Sequence, residues 1–90
     1  MACELIIPSD IEERFRRLRK KDRATFDRVM RKLEEVCLKP NEVGSPKKYH
    51  LTGCRGVHIG PFVLIWRIEG NPESRAVRVV LFEHHDDAYQ

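Results

Sequence analysis

The chain's capacity for proton transfer rests on four histidines, all in its second half: His50, His58, His84 and His85. Imidazole, with an unperturbed pKa of about 6.5, is the side chain that both gives and takes protons near neutrality. Two histidines across a phosphodiester can serve as general base and general acid in RNA cleavage, while an arginine holds the phosphorane charge. The RNA 2′-hydroxyl is then the nucleophile, and no metal is required. Each residue also has a plainer reading. His58 suits a half-buried strand position, His84-His85-Asp86-Asp87 suits a solvated acidic tail, and Arg55, flanked by Gly53 and Gly56, suits a surface turn.

Other chemistries fit less well. His84, His85, Asp86, Asp87 and Cys54 are possible metal ligands but lack the paired spacing of a zinc site. Cys54 has no partner base that would make it a nucleophile. No cofactor is expected.

Histidines can act together only if the fold brings them together. The most apolar stretch, Phe62–Ile68, is broken only by Arg67 and bounded by Gly60-Pro61 and Gly70-Asn71-Pro72, so it reads as a central strand buried on both faces. Val57–Ile59 before it and Ala76–Phe82 after it complete a meander. In the last strand, alternation puts Val77, Val79 and Leu81 on one face and Arg78, Val80 and Phe82 on the other. Cys3–Ile7 reads as a strand at or near a sheet edge, and Lys47–Leu51 as extended.

Between these strands the period changes to that of helices. Ile11, Phe15 and Leu18 form one apolar stripe, and Phe26, Val29, Met30, Leu33, Val36 and Cys37 form a second. Met30 and Cys37 read as core packing. Ser9 and Glu12 have the spacing of a capping box at the first helix start, and Asp22 is the expected cap of the second. The order β-α-α-β-β-β predicts one α+β domain over residues 1–90, an antiparallel meander with an αα-hairpin on one face.

Composition sets limits on class. The chain has 90 residues, 34% of them charged and 41% hydrophobic, the profile of a folded domain without disorder. The net charge is only +3, but Arg14, Arg16, Arg17, Arg19, Lys20, Lys21, Arg23, Arg28, Arg31 and Lys32 crowd the helical hairpin against Asp22 and Asp27. Such a surface can be a solvated face or can attract a polyanion. Cys3, Cys37 and Cys54 are odd in number and show no CxxC spacing, so a disulfide is not expected and a reducing cytoplasm is. No signal peptide and no run of about 20 apolar residues is visible, which predicts a protein away from the membrane.

The order of elements and the motifs resemble the RelE/ParE superfamily of type II toxin–antitoxin toxins, with the YafQ-like branch as the nearest pattern. That branch carries L-x-G, a short linker, Y-R-x-x-H-I-x-P and an apolar strand. The corresponding residues are Leu51-Thr52-Gly53, then Cys54-Arg55-Gly56-Val57-His58-Ile59-Gly60-Pro61, then Phe62–Trp66. The branch's ending, T-H-x-D-L-F or H-R-x-D-V-Y, corresponds to His84-His85-Asp86-Asp87-Ala88-Tyr89. Cys54 replaces the motif aromatic, and Val63 stands where RelE proper carries an arginine, which fits a histidine-based site.

The resemblance implies an endoribonuclease that cuts messenger RNA on the bacterial-type (70S) ribosome and is held in check by a cognate antitoxin. It assigns His85 as general acid, His58 as general base or phosphate ligand, Tyr89 as the aromatic that positions a base or phosphate, and Asp87 as an orienting carboxylate. His50 falls within about one residue of a further motif histidine. Arg55 corresponds to a basic, phosphate-binding position, and Arg16, Arg17, Arg19, Lys20, Lys21, Lys47 and Lys48 are the expected RNA-facing cations. The superfamily also contains ParE-like toxins that act by binding without nuclease chemistry, and a degenerate homologue that mainly binds its antitoxin would share the fold.

Overall fold

Both helices form where the apolar spacing predicts them. In the computed structural model, which describes residues 3–71 and 73–88, the chain runs β1 (Glu4–Ile6), α1 (Ser9–Lys21), α2 (Arg23–Leu38), β2 (Ser45–Pro46), a single 3₁₀ turn (Tyr49–Leu51), β3 (Cys54–Ile59), β4 (Phe62–Asn71), β5 (Ser74–His84) and a one-turn α3 (His85–Ala88). Ile11, Phe15 and Leu18 of α1 and Val29, Leu33 and Val36 of α2 are buried, with Phe26, Met30 and Cys37 half-buried against them. The short 3₁₀ turn replaces the extended segment expected over Lys47–Leu51.

One residue joins the two helices. The Asp22 amide donates to the Leu18 carbonyl at 2.7 Å and closes α1. Its carboxylate accepts from the Thr25 hydroxyl at 2.6 Å and the Thr25 amide at 3.1 Å and opens α2, as expected of a cap. These bonds, the hydroxyl first, hold the Asp22 carboxyl below the usual aspartate range. The expected box at the start of α1 does not form. Pro8 occupies the cap position, its carbonyl accepts the Glu12 amide at 2.9 Å, and no side chain caps the end. Glu12 instead faces Arg16 at 3.5 Å, one turn on.

The strands lie in the order β1-β5-β4-β3-β2. β3, β4 and β5 form the expected antiparallel meander. The sheet as a whole is mixed, because β1 runs parallel to β5, with Glu4 opposite Ala76 and Ile6 opposite Arg78. A parallel neighbour requires a long crossover, which the helical hairpin supplies. Central β4 is buried on both faces: Val63, Leu64, Ile65 and Trp66 are all 0% exposed, and Leu64 and Trp66 join the core under the helices.

A bulge corrects the expected alternation of β5. Ile65 pairs with Leu81 but Trp66 pairs with Val79, so Val80 is an extra residue and the strand changes face there. Phe82 therefore joins Val77 and Val79 under the helices. Its ring stacks on Phe62 at 4.9 Å and meets Phe15 edge-on at 4.8 Å.

Two further contacts fix the edges. Gly44 has φ +69°, and a Cβ there would press on the Gly56 carbonyl and the Trp66 ring, so the loop before β2 can close only on glycine. Cys3 and Cys37 are paired as a disulfide, with Cα atoms 5.3 Å apart, and Cys54 is free. This corrects the expectation of unpaired cysteines. An odd count leaves one thiol over, and the separation in sequence concealed that β1 lies against the end of α2. No helix among the described residues is long and apolar enough to cross a membrane.

Candidate active site

The tight Gly60-Pro61 turn decides which histidines meet. On β3, His58 lies opposite Val63, just before the turn, and Phe62, just after it, lies opposite His84 at the end of β5. His85 therefore emerges beside the same turn, and its amide donates to the Pro61 carbonyl at 2.7 Å. The His58 and His85 rings end with centroids 5.3 Å apart and planes at 42°. Both residues are exposed.

Two basic grooves lie near this end of the sheet, one lined by His58 and the other by His84, the residue before His85. Toward α2, a groove of about 390 Å³ is lined by His58, Ile59, Arg28, Arg31, Lys32 and Glu35. Lys32 is bound to Glu35 at 3.0 Å, and the Arg28 guanidinium lies beside Gly60. Toward α1, a groove of about 280 Å³ is lined by His84, Arg14, Arg17 and Lys21 over an apolar floor that includes Phe62 and Phe82. Arg14 meets Glu83 at 3.4 Å, and His84 stands edge-on to Phe62 at 5.9 Å. Asp86 lies 3.7 Å from the His84 ring nitrogen and 3.8 Å from that of His85.

The remaining candidates are dispersed. Arg16 is spent on its own helix, with Glu13 at 2.9 Å and Glu12 at 3.5 Å, and Arg19 lies over the Phe26 ring at 6.0 Å. Lys20 and Lys48 are exposed, whereas Lys47 is half-buried with its stem across Gly56. His50, in the 3₁₀ turn ahead of β3, lies beyond the far end of that strand; the four residue steps from Cys54 to His58 alone span about 13 Å. Arg55 alternates to the opposite face from His58. Its Nε donates to the Val43 carbonyl and its Nη2 to the Gly44 carbonyl, both at 2.9 Å, so the guanidinium braces a loop. The Asp87 side chain and Tyr89 lie outside the described residues.

In the sequence Arg28 and Arg31 stand only among the hairpin's cations, and Asp86 only among possible metal ligands and motif residues, with no role at the histidine pair. A signal for the first two exists, since Arg28, Arg31, Lys32 and Glu35 share helical spacing along a stripe adjoining Val29, Leu33 and Val36. Net charge along the hairpin does not reveal which stripe borders the sheet. Two neighbouring imidazoles beside a groove lined by Arg28, Arg31 and Lys32 can bind an anion along their exposed edges and exchange protons with it.

The sequence model of the family described as "ParE toxin of type II toxin-antitoxin system, parDE" matches residues 7–89. The chain belongs to this toxin family. Relatives of the toxin include a Methanocaldococcus jannaschii protein named as a candidate RelE4 toxin, 27% identical over 97% of this chain and 90% of its own length. An uncharacterised Methanosarcina mazei protein is 30% identical, over 94% of this chain and 96% of its own. Among solved structures, the YoeB/ParE toxin of Agrobacterium tumefaciens superposes with a TM-score of 0.83 at 13% identity, over 91% of this chain and 98% of that one. The Mycobacterium tuberculosis toxin–antitoxin complex RelBE2 gives 0.73 at 18% identity, over 93% and 99%. A mutant of Escherichia coli RelE in the free state gives 0.72 at 18%, over 98% and 88%. The toxin thus has the RelE/ParE fold, and its family implies a cognate antitoxin.

Proposed function

We propose that this toxin is a ribosome-dependent endoribonuclease that cleaves messenger RNA by histidine acid–base chemistry. The observation that carries the reading is the convergence of His58 and His85 beside a groove lined by Arg28, Arg31 and Lys32. The scissile phosphate docks across the outer edges of the two rings, whose centroids at 5.3 Å are too close to admit it between them. His58 takes the proton of the 2′-hydroxyl, whose oxygen attacks phosphorus, and His85 protonates the departing 5′-oxygen. The 2′,3′-cyclic phosphate and a free 5′-hydroxyl are left. Arg28 and Arg31 lie where they can offset the charge of the phosphorane. Asp86, 3.8 Å away, can pair with a protonated His85, and Asp87 and Tyr89 keep the orienting and positioning roles expected of them.

Induction of the wild type and of His85→Ala in a bacterial host, with mRNA ends mapped by primer extension, tests this reading. New ends that depend on His85 are expected. Equal growth arrest by both proteins without new ends would remove the nuclease. The description of the matching family as ParE favours a second reading, in which the toxin acts by binding its target without cutting RNA. That second outcome is the one it predicts.

A further inference from the structure

Tyr49 is the most exposed large hydrophobic side chain described, at 87%, and it is also the only non-glycine residue described with a positive φ, +59°. Each feature is unfavourable alone: an L-residue in the left-handed region is strained, and a solvated aromatic ring contributes nothing to the core. The turn nevertheless holds Tyr49 there. The Thr52 hydroxyl and amide donate to the Tyr49 carbonyl at 2.6 and 3.0 Å, and the Lys47 amide donates to the Cys54 carbonyl at 2.9 Å and closes the loop at its base. The flanking residues are Lys47, Lys48 and His50.

The loop also connects with the histidine face. Residues 54, 56 and 58 of β3 share one side of the sheet, and the Lys47 stem lies across Gly56 on that side. Glycine leaves the space that the Lys47 stem fills. Lys47, two residues before Tyr49, thus lies between the His58 position and the turn that carries Tyr49.

We propose that Tyr49 is a stacking platform for an unpaired RNA base, several nucleotides from the phosphate at His58 and His85. An exposed aromatic ring among cations is the arrangement by which proteins hold single strands, the ring taking the base and the cations the backbone. The platform rests on the nuclease reading for its place along the substrate, but not for its affinity. It binds bases whether or not the strand is cut.

The test uses the full chain and a short single-stranded RNA with 2′-O-methyl riboses, which has no nucleophile and stays intact. Its binding is followed by fluorescence anisotropy, beside that of an abasic strand of equal length. Tyr49→Ala is expected to weaken binding of the RNA about tenfold, with Tyr49→Phe close to wild type and no effect on the abasic strand. Tyr49→Gly is expected to lose the same affinity while gaining thermal stability, because glycine accepts the left-handed backbone. Equal RNA affinity of wild type and Tyr49→Ala overturns the platform, as does equal weakening toward the abasic strand, or no binding by wild type. A loss confined to antitoxin binding also overturns it and makes the ring a protein contact. Failure of the nuclease reading shows separately: Tyr49-dependent binding without His85-dependent mRNA ends keeps the platform and removes the cleavage.

Discussion

His58 and His85 belong to different elements, yet their rings face each other 5.3 Å apart because the Gly60-Pro61 turn and the last backbone hydrogen bond of the sheet end at the same point. Replacement of either by alanine is expected to lower cleavage about 10²- to 10⁴-fold, the usual contribution of a positioned acid or base. Both side chains are exposed, so melting temperatures should remain those of wild type. Single-turnover cleavage of ribosome-bound mRNA checks the first part, and calorimetry the second.

Arg28 and Arg31 of α2 make a different prediction from Arg16 of α1. Arg28 and Arg31 line the groove beside His58, so removing each is expected to reduce the slope of log affinity for single-stranded RNA against log salt by about 0.7. Arg16, held by Glu12 and Glu13, is expected to change the slope little. Anisotropy titrations between about 50 and 200 mM salt distinguish them.

Gly44 is expected to be intolerant of even a methyl group. Gly44→Ala meets both the left-handed backbone and the Gly56 carbonyl, and should cost about 1–3 kcal/mol in urea unfolding. Gly56→Ala meets chiefly the movable Lys47 stem, so its effect should appear in RNA affinity more than in stability.

Acid should loosen the fold at two identified places. The Asp22 carboxyl is held low by Thr25, and the Glu69 carboxyl chiefly by the Arg78 hydrogen bond, with Arg67 assisting. A carboxyl whose pKa is depressed by folding adds stability that is fully present above its unfolded pKa, about 4, and is lost as pH falls through the folded value. Melting temperature should therefore decline below about pH 5. Asp22→Asn, which still caps α2, should flatten part of that decline, whereas Asp22→Ala should lower stability at neutral pH as well.

How much of this was legible in the chain depended on the range of the signal. The stripes of α1 and α2 and the buried run of β4 are local periodicities, and they were read correctly. The position of Phe82 was not, because the bulge at Val80 is a property of two strands in register and leaves no mark on one of them. The Cys3–Cys37 pair required knowing that β1 returns beside α2. Arg55 matches a phosphate-binding motif position, but β3 begins at Cys54 rather than Val57, and alternation along that longer strand puts Arg55 on the face opposite His58. For the histidines, the motif gave the residues and only the Gly60-Pro61 turn gave their distance.

The parallel pairing of β1 with β5 carries a consequence in time. Glu4 finds its partner only when Ala76 has been made, and His85 follows that strand. During translation, the earliest strand waits for the latest, since sheet closure needs contacts across most of the chain. The His58–His85 pair therefore forms only after residues 4 to 85 have all left the exit tunnel.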